Sequence, residues 1–167
     1  MDKYKIKKDP IEFARSQGVK IGEGCRLLCL TAGTFGSEPY LVKLGNHVSV
    51  TAGVQFVTHD GGVWIFRQEH PDIDVFKPIT IGNNVFIGIN SIIMPGVTIG
   101  DNCVIGAGSV VSKDIPSGSV AAGVPAKTLR TAEEYKQKIL DNALHVRSLS
   151  HAEKRSFLEK HFFGEIE

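Results

Sequence analysis

The feature that most constrains this chain is a six-residue repeat that runs in unbroken register from residue 81 to residue 116. The six segments read IGNNVF, IGINSI, IMPGVT, IGDNCV, IGAGSV and VSKDIP. Each segment begins with an aliphatic residue, and glycine follows that residue in four of the six. The aliphatic positions are Ile81, Ile87, Ile93, Ile99, Ile105 and Val111. A period of six fits neither an α-helix nor the alternation of an ordinary β-strand.

Such a period suits a chain that turns after every short strand, so that three segments make one triangular coil. The aliphatic residue then points inward and stacks on its counterpart in the next coil, where Ile and Val fit an extended surface well. Glycine beside it allows the backbone to turn a tight corner. Matching segments also begin at Ile21, Leu44, Val50 and Phe56. We therefore predict an all-β solenoid over residues 19–130.

Composition argues against several classes of protein. The chain has 167 residues and a hydrophobic content of 42%, which is enough for one domain with a small appendage. A formal net charge of +1 argues against a nucleic-acid-binding surface. No apolar run approaches the roughly 20 residues of a membrane span, and the N-terminus lacks the apolar core of a signal peptide. We therefore expect a cytoplasmic protein.

The three cysteines, Cys25, Cys29 and Cys103, match no zinc-binding spacing. We expect reduced, buried thiols in all three cases, and no metal site. Cys103 occupies the small fifth position of a repeat segment, so we expect it in the core rather than in a reactive role.

Segment 1–18 is predicted to be helical. Asp9 is the expected N-cap, Pro10 stands at the first helical position and Glu12 would complete a capping box. Gly18 is the expected terminator, because glycine readily adopts the left-handed conformation that ends helices.

Segment 131–167 is also predicted to be helical, as a C-terminal extension of the solenoid. Its two helices are expected to begin at the capping boxes Thr131–Glu134 and Ser150–Glu153. An exposed last coil would present an unpaired sheet edge, so we expect these helices to cover the end of the solenoid or to contact a neighbouring subunit.

The repeat is interrupted at about residues 57–78, and the segment KPITIG marks where it resumes. A regular prism offers no pocket, whereas an extruded loop can build one. The loop carries an unusual set of side chains, of which Trp64, Phe66 and Arg67 are candidates for lining such a pocket. Aromatic faces with flanking polar groups suit a sugar, a drug-like amphipathic acceptor or simple packing on another subunit.

The repeat segments and the stretch IGAGSVVSKDIPSGSVAAGVPAKTLR together resemble the hexapeptide-repeat acyltransferases, and specifically their acetyl-CoA-dependent sugar and xenobiotic O-acetyltransferase branch. The resemblance covers residues 19–130 and implies a left-handed parallel β-helix that assembles as a homotrimer with sites between subunits. It also implies an acetyl-CoA groove formed by backbone near Gly88 and Ala107. The residues that match the rest of this groove are Ser112, Lys113, Lys127 and Arg130.

The same resemblance places His59, in TAGVQFVTHD, in the role of general base. A histidine near neutral pKa suits removal of a hydroxyl proton during acyl transfer. His70, near the far end of the loop, and His47, on a coil face, are the competing candidates. Asp60 either orients the ring of His59 or caps the Gly-Gly turn that follows it.

We expect an enzyme that moves an acetyl group from acetyl-CoA to a sugar hydroxyl, on a surface-polysaccharide or lipopolysaccharide unit. The alternatives are N-acetylation of a nucleotide-linked amino sugar and O-acetylation of a streptogramin-type antibiotic. A γ-class carbonic anhydrase is a remote alternative, because it needs zinc-binding histidines of which two are close in sequence, and this repeat has no such pair. A non-catalytic scaffold solenoid is the other.

Overall fold

The computed structural model describes residue 6 and residues 8–164. Its main body is a parallel solenoid of very short strands, followed by an antiparallel hairpin. The strands are β1 (Lys20–Ile21), β2 (Arg26–Leu27), β3 (Val42–Leu44), β4 (Ser49–Val50), β5 (Gln55–Phe56), β6 (Ile79–Ile81), β7 (Phe86–Ile87), β8 (Ile92–Ile93), β9 (Thr98–Ile99), β10 (Val104–Ile105), β11 (Val110–Val111), β12 (Ser119–Gly123) and β13 (Ala126–Thr131).

Successive strands go to three different sheets. Sheet A has the order β1-β3-β6-β9, sheet B the order β13-β12-β10-β7-β4-β2, and sheet C the order β11-β8-β5. All of these pairings are parallel except β12 with β13. The chain therefore visits one strand of each sheet per coil, which confirms the predicted parallel solenoid.

The aliphatic residues that open the repeat segments stack as the sequence predicts. Ile81 pairs with Ile99 in sheet A, and Ile87 pairs with Ile105 in sheet B. In sheet C, Phe56 is in register with Ile93, which is in register with Val111. These side chains are at most 1% exposed and form the central core of the solenoid.

The corners between sheets A and B are stabilised by a column of polar side chains. Each one accepts a hydrogen bond from backbone in the coil before it: Asn46 from Glu23, Asn83 from Asn46, Asp101 from Asn83 and Ser117 from Asp101. Neighbouring residues His47, Asn84 and Asn102 take left-handed conformations with φ near +55°. Buried apolar stacking and corner hydrogen bonds therefore specify the same register.

Two irregular segments interrupt the solenoid. The first, residues 28–41, follows β2 and ends in the 3₁₀-helix Pro39–Leu41. The second, residues 57–78, follows β5 and contains the 3₁₀-helix Gly61–Phe66. Only the second was expected, and the first proves equally important for the site described below.

Outside the repeat, the structure gives the bounds of the α-helices α1 (Pro10–Ser16), α2 (Ala132–Leu140) and α3 (His151–Phe163). Asp9 caps α1 by accepting from the Glu12 nitrogen, and both predicted C-terminal capping boxes are present. Residues 1–5, 7 and 165–167, which the helical predictions included, lie outside the described residues.

The chain divides into two compact units, Met1–Tyr135 and Lys136–Glu167. In the second unit, α3 leaves the aromatic side chains of Phe162 and Phe163 largely exposed. The division into segments 1–18, 19–130 and 131–167, and the covering role of the last helices, stay predictions.

One expectation about the cysteines is wrong. Cys103 is buried as predicted, and the pKa of its thiol is raised by burial. Cys25 is half-buried, whereas Cys29 is exposed and lies in the first interruption, outside the strands of the solenoid. No helix in the described part of the chain has the length and apolar character needed to cross a membrane.

Candidate active site

The neck of the second interruption is held by two backbone hydrogen bonds, which together make one isolated bridge. His59 and Phe76 form an isolated antiparallel bridge, which brings the two ends of the loop together. The Lys77 nitrogen donates to the Thr58 carbonyl at 2.9 Å, and the Asp60 nitrogen donates to the Val75 carbonyl at 2.9 Å. These contacts fix the backbone of His59 at the point where the loop leaves the solenoid.

The side chain of His59 meets a carboxylate from the first interruption. Nδ1 of His59 lies 3.0 Å from Oε2 of Glu38, and the hydroxyl of Thr58 donates to the same oxygen at 2.7 Å. The Glu38 side chain is 14% exposed, and that of His59 is 40% exposed. A half-exposed imidazole with one nitrogen held by a shielded carboxylate is the arrangement that general bases use.

Glu38 is positioned beside His59 because the first interruption packs tightly on β5. The Phe35 ring stacks on the Phe56 ring at 5.1 Å, and the Phe56 nitrogen donates to the Thr34 carbonyl at 2.8 Å. Gly36 has a φ of +67°, and a Cβ built on it would lie 2.9 Å from the Phe56 carbonyl oxygen. Glycine is therefore required for the close approach that puts Glu38 beside His59.

The electrostatics of the pair favour an ionised glutamate. Partial burial disfavours the charged form of Glu38, but the hydrogen bonds from Thr58 and His59 outweigh it, so the pKa of this carboxyl lies below its ordinary value. An ionised carboxylate can only accept hydrogen bonds, so Nδ1 of His59 carries the proton and donates a hydrogen bond to Glu38. The other nitrogen, Nε2, then carries the lone pair that a base needs.

The structure separates the remaining histidine and aspartate candidates from this pair. Asp60 accepts from the Gly62 nitrogen at 2.9 Å and caps the 3₁₀-helix, so it serves the Gly-Gly turn. His47 lies at a solenoid corner, where its Nδ1 is 2.8 Å from Oδ1 of Asn84. His70 is exposed, and its backbone nitrogen donates to the Phe66 carbonyl within the loop.

The loop exposes large apolar side chains close in sequence to His59. Trp64 and Phe66 are 73% and 53% exposed, and Phe76 approaches the His59 ring edge-on with centroids 6.0 Å apart. Arg67 forms an ion pair with Asp74 across the loop. The charge of Arg67 is thus engaged inside the loop, while the rings of Trp64 and Phe66 remain exposed.

Gly88 and Ala107 lie side by side at the corner between sheets B and C. A Cβ built on Gly88 would lie 2.5 Å from the Ala107 nitrogen, so the two coils are in close backbone contact there. Gly88 follows β7 and Ala107 follows β10, and these strands are neighbours in sheet B. The structure therefore brings the two predicted groove positions together.

Ser112 and Lys113 lie at a different corner, between sheets C and A, because they follow β11. His59 belongs to the same corner two coils away, since β5, β8 and β11 are consecutive strands of sheet C. At the usual strand spacing this separates their levels by about 10 Å along the axis. In one chain, His59 and the Gly88–Ala107 pair thus occupy different corners of the prism.

Lys127 and Arg130 share one face of the terminal hairpin despite being three residues apart. Lys127 pairs with Ala122 and Arg130 pairs with Val120, because a β-bulge shifts the register between them. Directly paired residues lie on the same face of a sheet, and Ala122 and Val120 are two apart on one strand. The bulge therefore produces an exposed pair of cations on the outer face of sheet B.

The positions of the potential metal-binding side chains also bear on the chemistry of the site. Among the described residues, no group of three His, Cys, Asp or Glu side chains is placed so that it could hold a metal ion. His47 and His59 are committed to Asn84 and Glu38 respectively.

Comparison with known proteins agrees with this architecture. The family profile of the bacterial transferase hexapeptide (six repeats) matches residues 78–113. Protein CapG of Staphylococcus aureus is 57% identical over 148 residues, which are 89% of this chain and 86% of that protein. The chain belongs to the hexapeptide-repeat transferases.

Other members of the family carry names that state their reaction. The galactoside O-acetyltransferase of Escherichia coli is 47% identical over 93 residues, which are 56% of this chain and 45% of that enzyme. A hexapeptide-repeat acetyltransferase from Vibrio cholerae superposes with a TM-score of 0.58 at 30% identity, over 69% of this chain and 63% of that chain.

A maltose O-acetyltransferase from Clostridium difficile has a TM-score of 0.52 at 28% identity, over 74% of this chain and 75% of that chain. Together with the repeat, these neighbours imply that the solenoid is a left-handed β-helix. This protein is an acetyltransferase enzyme of the hexapeptide-repeat family.

Proposed function

We propose that this enzyme transfers an acetyl group from acetyl-CoA to a hydroxyl group of a sugar, with His59 as the general base and Glu38 as the residue that orients it. The contact that carries the proposal is the one between Glu38 Oε2 and His59 Nδ1 at 3.0 Å. It holds a half-exposed imidazole in one orientation at the neck of the loop.

In the proposed reaction, Nε2 of His59 removes the proton of the acceptor hydroxyl as its oxygen attacks the thioester carbonyl of acetyl-CoA. The carbon–sulfur bond then breaks, and the CoA sulfur leaves as the thiol after receiving the proton from the imidazolium. Glu38 stabilises the imidazolium that forms between the two steps. No covalent acetyl-enzyme is needed, which agrees with the buried position of Cys103.

For the donor, the chain offers two features that suit acetyl-CoA. Close backbone approach at Gly88 and Ala107 suits the amide-rich pantetheine arm, and the Lys127–Arg130 pair suits its phosphates. The position of His59 at another corner of the prism supports a homotrimer in which neighbouring subunits supply the base and the groove. Ser112 and Lys113 then stand on the same corner as the base rather than beside the groove of their own subunit.

For the acceptor, a sugar hydroxyl is supported by two relatives whose names specify galactoside and maltose O-acetylation. The exposed rings of Trp64 and Phe66 offer flat apolar surfaces to the C–H faces of a sugar. A surface-polysaccharide unit is the acceptor that we propose. N-acetylation of an amino sugar is the second candidate. N-acetyl transfer as such is supported by the 2,3,4,5-tetrahydropyridine-2,6-dicarboxylate N-acetyltransferase of Staphylococcus carnosus, which is 48% identical over 58 residues, only 24% of that enzyme, and whose name specifies no sugar.

The test is a CoA-thiol release assay with acetyl-CoA and a panel of acceptors: simple galactosides, nucleotide-linked amino sugars, polysaccharide fragments and streptogramins. Release with a hydroxyl-bearing sugar supports the proposal, and release only with an amino sugar replaces it by the N-acetyl alternative. Calorimetric titration with CoA, run in parallel, tests the donor. An enzyme that releases thiol from another acyl donor but binds no CoA would contradict the donor assignment.

A further inference from the structure

The hydroxyl group of Thr58 differs from the buried hydroxyls of Ser91 and Ser109 in what it binds. Thr58 is completely buried, and its Oγ1 donates to the Glu38 carboxylate. The buried hydroxyls of Ser91 and Ser109 instead donate to the carbonyl of Gly106 in a corner of the backbone. Because a buried hydroxyl needs a partner, the choice of a side-chain carboxylate calls for a different explanation from turn formation.

Thr58 and His59 share one carboxylate oxygen. Oε2 of Glu38 accepts from Thr58 Oγ1 at 2.7 Å and faces Nδ1 of His59 at 3.0 Å. A carboxylate oxygen can accept two hydrogen bonds, but each donor withdraws electron density that the other would use. The Thr58 hydroxyl therefore weakens the hydrogen bond and the electrostatic attraction between Glu38 and the imidazole. It also holds the carboxylate in place.

The backbone of Thr58 is fixed independently of its hydroxyl. Its carbonyl accepts from the Lys77 nitrogen at 2.9 Å, and the next residue, His59, forms a backbone bridge with Phe76. Replacement of the hydroxyl by a methyl group thus leaves the main-chain neck of the loop with its hydrogen bonds. The chemical effect of the hydroxyl can be separated from a structural one.

We propose that Thr58 is a positioning residue that sets the basicity of His59 through Glu38. The inference rests on the proposed function and deepens it. Without the hydroxyl, Oε2 interacts with His59 alone, which stabilises the imidazolium and raises the pKa of His59. With it, the carboxylate stabilises the imidazolium less strongly, which favours the neutral imidazole that a base requires.

The other titratable groups of the two interruptions do not take the place of Glu38. Asp60 caps Gly62, Arg67 pairs with Asp74, and the alkyl chain of Lys77 packs over Gly96. The rest are exposed, namely Cys29, Tyr40, Glu69, His70 and Asp72. Among the charged groups of the described residues, it is Glu38 that forms a hydrogen bond with His59.

The test is a direct measurement of the pKa of His59 by nuclear magnetic resonance in the wild type and in Thr58→Val, with the signal assigned from its loss in His59→Ala. We expect Thr58→Val to raise this pKa by about half a unit or more. Thr58→Ser restores the hydroxyl and should return the wild-type value. Thr58→Ala, which removes the hydroxyl without adding bulk, provides the same measurement if the valine variant is poorly folded.

The matched control is Thr34→Val. Thr34 is 6% exposed and lies in the first interruption, but its hydroxyl bonds to Thr31 rather than to Glu38. This variant should lose stability without changing the pKa of His59. An unchanged or lowered pKa in both Thr58→Val and Thr58→Ala would overturn the inference, as would a serine variant that behaves like valine.

The pH dependence of kcat/KM separates this inference from the proposed function. If His59 is the base, the acid limb of the profile should move to higher pH together with the measured pKa. A pKa that moves while the acid limb stays would support the role of Thr58 and contradict the assignment of the base. A fixed pKa with activity abolished by His59→Ala would contradict the inference alone.

Discussion

The Oε2 atom of Glu38 lies 3.0 Å from Nδ1 of His59 and joins two loops whose residues are 21 positions apart in the sequence. Neither residue belongs to a regular strand, and both stand where the six-residue repeat is broken. The solenoid supplies the rigid support, and its two interruptions supply the reactive groups. Such a division lets a stable repeat carry a site that its own regularity cannot form.

Glu38→Gln is expected to lower kcat by up to about 10⁴-fold, the scale seen when the carboxylate that orients a general-base histidine is replaced by its amide. The amide keeps the size of the side chain but loses the charge that stabilises the imidazolium. The acid limb of kcat/KM should also move to lower pH, because the pKa of His59 falls when its anionic partner is removed. A variant with wild-type kcat and an unmoved limb would show that Glu38 does not act on His59.

The same pair makes a prediction about acid stability. The pKa of Glu38 is below its ordinary value in the folded protein, because hydrogen bonds from Thr58 and His59 outweigh partial burial. Its contribution to stability is therefore complete above the pKa of the unfolded chain and is lost as pH falls through the lower, folded-state pKa. At neutral pH the free energy of unfolding should be larger for the wild type than for Glu38→Gln. This difference should shrink on acidification. A difference that grows towards acid pH would contradict this.

The double substitution Lys127→Ala and Arg130→Ala should weaken the binding of acetyl-CoA more than it lowers kcat at saturation. The two cations lie on one exposed face of the hairpin, where they suit the phosphates of the donor. Calorimetric titration with CoA, together with steady-state kinetics, provides the measurement. The double variant Lys20→Ala and Lys43→Ala is the matched control. It also removes two positive charges, from exposed lysines that are neighbours in register on sheet A. Equal effects of the two double variants would show that only overall charge matters.

Gly106→Ala is expected to destabilise the fold by about 1–3 kcal/mol, the usual cost of overpacking. A Cβ at this position would lie 2.7 Å from the Cβ of Ala122 in the next coil. Gly33→Ala serves as the control, since a Cβ there has no neighbour within 4 Å. Thermal or denaturant unfolding compares the two variants. Similar midpoints would mean that the coils are not packed as closely as described.

Much of the solenoid could be predicted from the sequence because its register depends on local pattern. Ile81, Ile87 and Ile93 each have their partner 18 residues later, so within the unbroken repeat one period fixes strand, corner and core together. The second interruption was visible for the same reason. The capping residues Asp9 and Ser150 were also recognisable, since helix caps depend on residues three apart.

Glu38 escaped prediction because its contact with His59 depends on how two irregular segments pack, which no period describes. A signal was present in the spacing, since 23 residues separate Ile21 from Leu44 where one coil needs 18. That excess marks the first interruption. The shared face of Lys127 and Arg130 was equally hidden, because a β-bulge creates it.

The central claim is that His59 is the base, and the measurement that tests it most directly compares His59→Ala with His70→Ala in the thiol-release assay. We expect His59→Ala to bind CoA normally and to lose about 10²- to 10⁴-fold in acetyl transfer, the range typical of a lost general base. His70→Ala should stay close to wild type, because His70 is exposed and lies outside the pair with Glu38. Full activity in His59→Ala, with His70→Ala inactive, would contradict the account.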